Sequence, residues 1–483
     1  MEDVEAAHGM TPDLSRAFAV LLEDTLRRCD QTARDLDELG ASYGGGLEQR
    51  SYHTFINALQ LVNQTARSYL ESRREAFDKQ DDPKTRESLY SLVRNVAFQL
   101  AERLESQVQL LRLPRSEQLD VFATPMTRLA KRMLPNAELL FLPWTVGDGY
   151  RLDTYNGSEA ERLSPGLRRN LERAYGAEIE FLKLRYPSAR REDLFQHAVF
   201  AHEIAHAVIR QPIPGSPAAE AHDPKRPTYF SQAARAAPTG LAEPQTRLLD
   251  WLTELACDVV AMRLVGPAFA VAFAEVTAAN RTIEGGAEFK RHPHPSVRFA
   301  VLDEELARFD LGAAGRPLRL ALRDYLKSHE GTDPQPTPSP GAKNWLDEAL
   351  ERFRGPMLTD MLGGGEVEYT PKQLAEDLPE VLRLAELGVP PCERITAFEA
   401  PGREDEPGIW SREIDWRSVL NGVLLRFLTT HGTPSVCRNA ARDRDRTRAT
   451  RLALGAIELA EFQRQARALR AQVHDLRVEE MRA

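Results

Sequence analysis

The 483-residue chain has few cysteines, no long apolar run and no excess of basic residues. Its four cysteines, Cys29, Cys257, Cys392 and Cys437, form no CxxC pair, so the sequence predicts neither a thiolate zinc site nor a disulfide framework. No apolar run reaches the roughly 18 residues that indicate a membrane span. The N-terminal residues are acidic where a secretory signal needs a basic and then an apolar stretch. We therefore expect no membrane span and a cytoplasmic location.

The charge balance also excludes classes of partner. The net charge is -9, whereas a nucleic-acid-binding protein typically carries a basic excess, so we expect no nucleic-acid partner. The run Arg438–Arg446 alternates arginine with aspartate, which predicts a solvated face. No Walker loop or dinucleotide fingerprint occurs, so nothing indicates a phosphate ligand.

The length predicts about three domains. Apolar residues recur at helical spacing through the first third, and breaks at Gly44–Gly46 and Asp78–Pro83 divide it into three long helices. Long helices joined by short turns favour an antiparallel bundle, with a partner-binding or oligomerising arm as the alternative. The predicted fold is mainly α (α+β): a zincin-like core with a small β-sheet at 131–330, flanked by helical domains at 1–130 and 343–483.

Three further patterns bear on this organisation. The apolar run Glu138–Trp144, followed by a glycine turn and Tyr150–Leu152, predicts a β-hairpin, and we expect a substrate peptide to add to a strand edge there. Alternating prolines in 331–342 predict a stiff linker. The terminal segment has a heptad seam that predicts an amphipathic helix, which either pairs with another chain or lies against the N-terminal bundle; the seam comprises Leu452, Leu459, Phe462, Ala466, Leu469, Val473 and Leu476.

The strongest chemical signal is the HExxH sequence His202–His206, which lies in an apolar stretch with helical character. Residues four apart share one face of a helix, so both imidazoles can bind one ion about 2.0–2.1 Å away. Glu203 leaves the helix at a different angle and can act as a general base. Two histidines that merely hydrogen-bond in a core are the alternative, but burying unpartnered imidazoles is costly.

A catalytic zinc site needs a third protein ligand. Glu254 and Asp258 lie four apart in a second apolar helical segment. Glu254 can complete a His₂Glu set, and Asp258 can accept the outer N–H of a ligand histidine. Taken alone, this pair would indicate an exposed helix edge; together with HExxH it predicts a site for one Zn²⁺ per chain.

HExxH followed by ExxxD resembles the gluzincin metallopeptidases, and within them the CAAX prenyl protease and HtpX-type family. The segment Arg291–Arg298 adds a similar His-Pro then Arg arrangement. By this resemblance His292 would steady the tetrahedral intermediate, with His294 as the alternative, and Arg298 would brace the site. The resemblance covers roughly residues 135–305 and neither helical flank.

The sequence therefore predicts a zinc-dependent endopeptidase that acts on a protein or peptide substrate. Its metal ligands are His202, His206 and Glu254, its catalytic residues are Glu203 and His292, and Asp258 and Arg298 support them. The helical flanks are candidates for binding a regulator or for self-association. The alternative is a catalytically inactive zinc-binding scaffold.

Overall fold

A computed structural model of the protein is mostly helical, as the sequence predicts, with one small three-stranded sheet. It describes residues 11–43, 47–113, 117–144, 150–155, 173, 180–188, 192–210, 230, 241–280, 292–309, 316–317, 319–320, 323–324, 337–362, 367–396, 410–431 and 440–482. No helix in this part of the chain combines the length and apolarity that a bilayer span requires.

The chain divides into two compact units. The first comprises Met1–Arg115, Pro135–Thr145 and Arg151–Tyr186, and the second comprises Ser116–Leu134, Val146–Tyr150 and Pro187–Ala483. The boundaries at 130 and 330 that the sequence indicates stay a prediction. Residues 331–336 of the predicted linker lie outside the described residues, and its last three residues, 340–342, are helical and not extended.

Long helices dominate the first unit. They are α1 (Thr11–Ser42), α2 (Leu47–Asp78), α3 (Pro83–Gln99), a π-helical turn (Leu100–Glu105) and α4 (Ser106–Arg112). Asp82 caps α3 by accepting from the backbone N–H of Thr85 at 3.0 Å, and Pro83 occupies the first turn, where its missing N–H costs nothing. Arg28 of α1 binds Glu105 through two hydrogen bonds of 2.8 and 2.7 Å.

The sheet of this unit contains the two predicted strands, but the predicted hairpin is wrong. The strands are β1 (Ala137–Trp144), β2 (Arg151–Tyr155) and β3 (Glu180–Pro187), in the order β1-β3-β2, with β2 and β3 antiparallel. β3 is largely buried, whereas β2 is short and polar. The more apolar strand therefore takes the centre and the polar one an edge, because only a central strand has its whole backbone and both faces covered.

A tyrosine of α2 covers part of the β1 edge. The hydroxyl of Tyr52 donates to the carbonyl of Phe141 at 2.8 Å and accepts from its backbone N–H at 2.9 Å. Both groups that Phe141 could offer to an added strand are thus occupied within the unit. A peptide added at Phe141 would have to displace Tyr52, and the expectation that a substrate extends the sheet at β1 stays a prediction.

The second unit carries the remaining elements. Its first half consists of α5 (Glu117–Met133), a 3₁₀ turn (Gln196–Val199), α6 (Phe200–Ile209), α7 (Gln245–Val265), α8 (Pro267–Asn280) and α9 (Pro295–Arg308). Its second half consists of α10 (Pro340–Arg352), a π-helical turn (Phe353–Met357), α11 (Leu358–Met361), α12 (Pro371–Leu387), strands β4 (Glu393–Thr396) and β5 (Trp410–Glu413), α13 (Trp416–His431) and α14 (Ala440–Arg482).

The C-terminal helices hold the end of α7. Arg417 of α13 donates to the carbonyl of Leu264 at 3.3 Å, and Asn421 donates to the carbonyl of Val265 at 2.7 Å. These carbonyls belong to the last turn of α7. Carbonyls in the last turn of a helix have no hydrogen-bond partners within the helix itself. Gly266 ends the helix at φ 80°, and a Cβ there would lie 2.8 Å from the ring of Tyr369. The position therefore requires glycine for both its backbone angle and its space.

The packed face of α14 differs from the predicted seam. The helix itself is present, but its buried apolar residues in the described side chains are Ala449, Ala453, Leu454, Ala456, Ile457 and Ala460. Leu459 and Phe462 of the seam are 41% and 68% exposed. The mostly small buried residues let α14 lie close against its neighbours. Pairing of the seam with another chain stays a prediction. The seam residues from Leu469 onward lie outside the described side chains.

Arg446 of α14 does not lie on a solvated face, so the expectation for the run Arg438–Arg446 is wrong at this residue. Its guanidinium binds both oxygens of Glu275 on α8 at 2.7 Å and Asp193 at 3.0 Å. Its side chain is only 21% exposed. Burial alone would lower the pKa of Arg446, but the two carboxylates outweigh it and raise that pKa. Arg446 thus ties α14 to α8 and to the segment that precedes α6.

Replacing Arg446 with methionine should destabilise the protein, because Glu275 and Asp193 would remain largely buried without a counter-charge. We expect the free energy of unfolding to fall by about 3 kcal/mol. Chemical denaturation measures it. The matched control is Arg383→Met, since Arg383 pairs with Glu380 on an exposed face of α12 at 2.7 Å, and removing this pair should leave the free energy of unfolding close to that of the wild type. Equal losses for the two variants would contradict a specific anchoring role.

Candidate metal centre

Helix α6 presents two histidines on one face. Apart from His202, Glu203 and His206, every residue of α6 is apolar and buried, so the helix is held on most of its circumference. The two imidazoles are one helical turn apart, with ring centroids separated by 4.8 Å and ring planes at 89°. Two rings in this relation can direct one nitrogen each towards a common point.

Helix α7 brings a carboxylate to the same point. His202 Nε2 lies 3.3 Å from Glu254 Oε2, and His206 Nε2 lies 3.4 Å from Glu254 Oε1. One ligand atom from each of the three residues falls within 4.8 Å of the others. The structure therefore brings together the three predicted ligands, and this cluster could hold a metal ion.

The donor set fits a divalent ion. Ligands that bind zinc at about 2.0–2.1 Å in a tetrahedron are roughly 3.3–3.4 Å apart. The two nitrogen–oxygen separations, each to a different oxygen of Glu254, are of this size. Among the described residues, the buried Glu254 Oε2 has no hydrogen-bond partner, although three nitrogens lie within 3.4 Å of it. A buried carboxylate oxygen without a hydrogen bond is costly. A bound cation would remove that cost.

The opposite nitrogen of His202 contacts Asp258, one turn after Glu254 on α7. Asp258 Oδ1 is 2.9 Å from His202 Nδ1. Arg298 of α9 binds the same carboxylate through Nε–Oδ2 at 2.8 Å and Nη2–Oδ1 at 2.6 Å. Burial alone would raise the pKa of Asp258, but the guanidinium outweighs burial and lowers it. These contacts are those that the predicted roles of Asp258 and Arg298 require; the roles themselves stay predictions.

The two ligand histidines differ in what lies behind them. His206 Nδ1 lies 3.3 Å from the sulfur of Cys257, where His202 Nδ1 has a carboxylate. Burial would lower the pKa of His202, but its contacts with Asp258 and Glu254 outweigh burial and raise it to about 9. For His206, burial and the neighbouring His202 lower the pKa to about 3. At neutral pH without metal, the imidazole of His202 is therefore favoured in its charged form, with a proton on both nitrogens, whereas that of His206 is neutral and has one ring proton.

Glu254 is ionised under the same conditions. Burial favours its neutral form, but contact with His202 and His292 and the charge of Arg298 hold the pKa of Glu254 well below its usual range. Negative charge is thus present at the cluster before any cation arrives.

The structure separates the two histidines that sequence reasoning left as alternatives. His292 Nδ1 lies 3.1 Å from Glu254 Oε2, and the side chain of His292 is 46% exposed. His294 instead caps α9, since its Nδ1 accepts from the backbone N–H of Ser296 at 3.1 Å. His292 is therefore the one placed against a candidate ligand.

Helix α8 supplies contacts that sequence reasoning missed. The ring of Phe269 lies parallel to that of His202, with centroids 6.1 Å apart, and the guanidinium of Arg298 lies 4.1 Å from the ring centroid of Phe273. Phe269 and Phe273 are four residues apart, so an aromatic pair on one helical face was the available signal. Cys257 was also not among the predicted site residues. Its position directly before Asp258 was the only indication of it in the sequence.

Three comparisons with known proteins give no relative. No protein-family model, curated protein or solved structure matches the chain. What the cluster does must therefore be argued from its own residues.

Metal binding should release about one proton near pH 7.5. His202 has a pKa of about 9 without metal, and a nitrogen that binds a metal must be unprotonated. The bound state holds fewer protons, so affinity should rise about tenfold per pH unit and level off above that pKa. Calorimetric titration in buffers of different ionisation enthalpy measures the proton count. Affinity that does not change between pH 6 and pH 8 would contradict binding that displaces a proton from His202.

Proposed function

We propose that the protein is a zinc-dependent endopeptidase. The observation that carries the proposal is the meeting of His202 Nε2, His206 Nε2 and the Glu254 carboxylate at one point, with an acid, Glu203, on the same helix. Three protein ligands that leave one position open are typical of catalytic zinc sites. Two histidines and a carboxylate also suit iron(II); Glu203, a base placed next to a ligand, favours hydrolysis.

Zinc held by these residues would supply Lewis acidity, which polarises a carbonyl oxygen and makes water acidic enough to lose a proton near neutral pH. Glu203 would accept that proton and later deliver it to the leaving nitrogen of the peptide. Glu203 follows His202 directly, so it leaves α6 about 100° around the axis and does not compete for the ligand position. It is only partly buried, which keeps it accessible to water and substrate.

The other residues would position a metal ligand and offset charge at the site. Asp258 holds the outer nitrogen of His202 and thereby directs Nε2 towards the cluster. Arg298 offsets the charge of Asp258 and lies 3.4 Å from Glu254 Oε2. His292, with an exposed ring beside the cluster, would donate to the developing oxyanion.

The order of these residues supports the proposal that the protein is a gluzincin similar to the CAAX prenyl protease and HtpX-type family. HExxH, ExxxD and His-Pro then Arg occur in that order, and all three segments contribute to one cluster. We propose a zincin-like core on this basis. We also propose a cytoplasmic location and a protein or peptide substrate.

The variant Glu203→Gln should bind zinc as the wild type does but hydrolyse peptides about 10²–10⁴-fold more slowly. The amide keeps the size of the side chain and cannot take a proton. Zinc content and cleavage of a peptide library should be measured on the same preparation, with the exposed Glu458→Gln as the matched control. Undiminished hydrolysis by Glu203→Gln would remove Glu203 from its role. Zinc-loaded wild-type protein that cleaves nothing would favour the inactive scaffold.

A further inference from the structure

Cys257 is a fully buried thiol that the proposed mechanism does not use. It lies on α7 between a candidate ligand, Glu254, and the partner of another, Asp258. Its sulfur is 3.3 Å from His206 Nδ1. Burial raises the pKa of the Cys257 thiol well above its usual value, so the group is neutral. Among the described residues, the atoms grouped closely enough to hold one ion come from His202, His206 and Glu254, and the sulfur of Cys257 instead lies against His206 Nδ1.

The contact lies on the far side of the imidazole from the cluster. His206 Nε2 faces the Glu254 carboxylate, whereas Nδ1 faces the sulfur. If Nε2 binds a metal, the proton of the neutral imidazole must lie on Nδ1. Within the described residues the sulfur of Cys257 is the contact that the structure gives to that nitrogen, and sulfur is a weak acceptor.

The same helix thus serves both histidines. Asp258 contacts His202 Nδ1, and Cys257, its neighbour in sequence, contacts His206 Nδ1. Successive residues leave a helix about 100° apart, and the two histidines are one turn apart on α6. The segment Glu254–Asp258 therefore provides one ligand and an outer partner for each of the other two.

We propose that Cys257 is a positioning residue. Its sulfur accepts a hydrogen bond from Nδ1–H of His206 and so fixes the tautomer that presents Nε2 to the metal. The proposal rests on the metal site of the proposed function and not on the reaction. Because outer partners of ligand histidines affect metal affinity by about 10–100-fold, the effect should be measurable without any substrate.

Three substitutions of Cys257 distinguish the effect of its hydrogen bond to His206 from the effect of its packing. Cys257→Ser keeps a small acceptor, whereas Cys257→Ala removes both the acceptor and volume. Cys257→Val removes the acceptor but fills the space. We expect the zinc Kd to stay near the wild-type value in the serine variant and to rise about 10–100-fold in both the alanine and valine variants. Competition with a chelator measures the Kd on the full-length protein.

A spectroscopic measurement reports the tautomer directly. In zinc-loaded protein labelled with ¹⁵N-histidine, the wild type and Cys257→Ser should show a protected Nδ1–H signal for His206. In Cys257→Val this signal should shift or exchange with water. The matched control is Cys29→Ala, since Cys29 is also buried but belongs to the first unit, so both readouts should be unchanged. Thermal unfolding of each metal-free variant verifies that it folds.

Three outcomes are distinguishable. Loss of affinity in the alanine and valine variants with retention in serine supports the proposal. A valine variant with wild-type Kd and an unchanged Nδ1–H signal would overturn it, since Cys257 would then act through packing alone. Wild-type protein that binds no metal would overturn the proposed function and this inference together.

Discussion

A buried carboxylate between two helices is the feature on which the candidate site depends. Glu254 reaches from α7 towards both histidines of α6. In the part of the chain that the structure describes, no group hydrogen-bonds to its Oε2, which is buried. A charge in that position is tolerated only with opposite charge nearby. In the metal-free protein the protonated His202 and Arg298 provide it, and a bound cation would take over from the proton on His202.

The surrounding elements keep this charge arrangement in place. Arg298 connects α9 to both carboxylates of α7. Phe269 and Phe273 of α8 flank His202 and Arg298 with apolar rings, which limits the positions that the charged groups can take. Asn421 and Arg417, from the C-terminal part of the chain, hold the last carbonyls of α7. The ligand helix is thus fixed at its end by residues more than 150 positions away in sequence, which makes the C-terminal helices part of the support for the site.

How well the sequence predicts the structure depends on how local each feature is. His202, His206, Glu254 and Asp258 were identifiable because each pair is set by the period of one helix. The apolar stretches around the pairs indicated that both helices are buried, which places the pairs in the interior. The predicted hairpin of β1 and β2 was wrong because the glycine turn after β1 is a local signal. The position of β3 between them depends on pairing between strands that are distant in sequence. Arg446 was misjudged for the same reason, since its partners Glu275 and Asp193 lie far away in the chain.

Diffraction at the zinc absorption edge, from crystals grown with zinc, shows whether the two histidines and Glu254 hold one ion. We expect one anomalous peak per chain, about 2.0–2.1 Å from His202 Nε2, His206 Nε2 and an oxygen of Glu254. A peak elsewhere, or no peak while the imidazoles and the carboxylate keep their present positions, would contradict it.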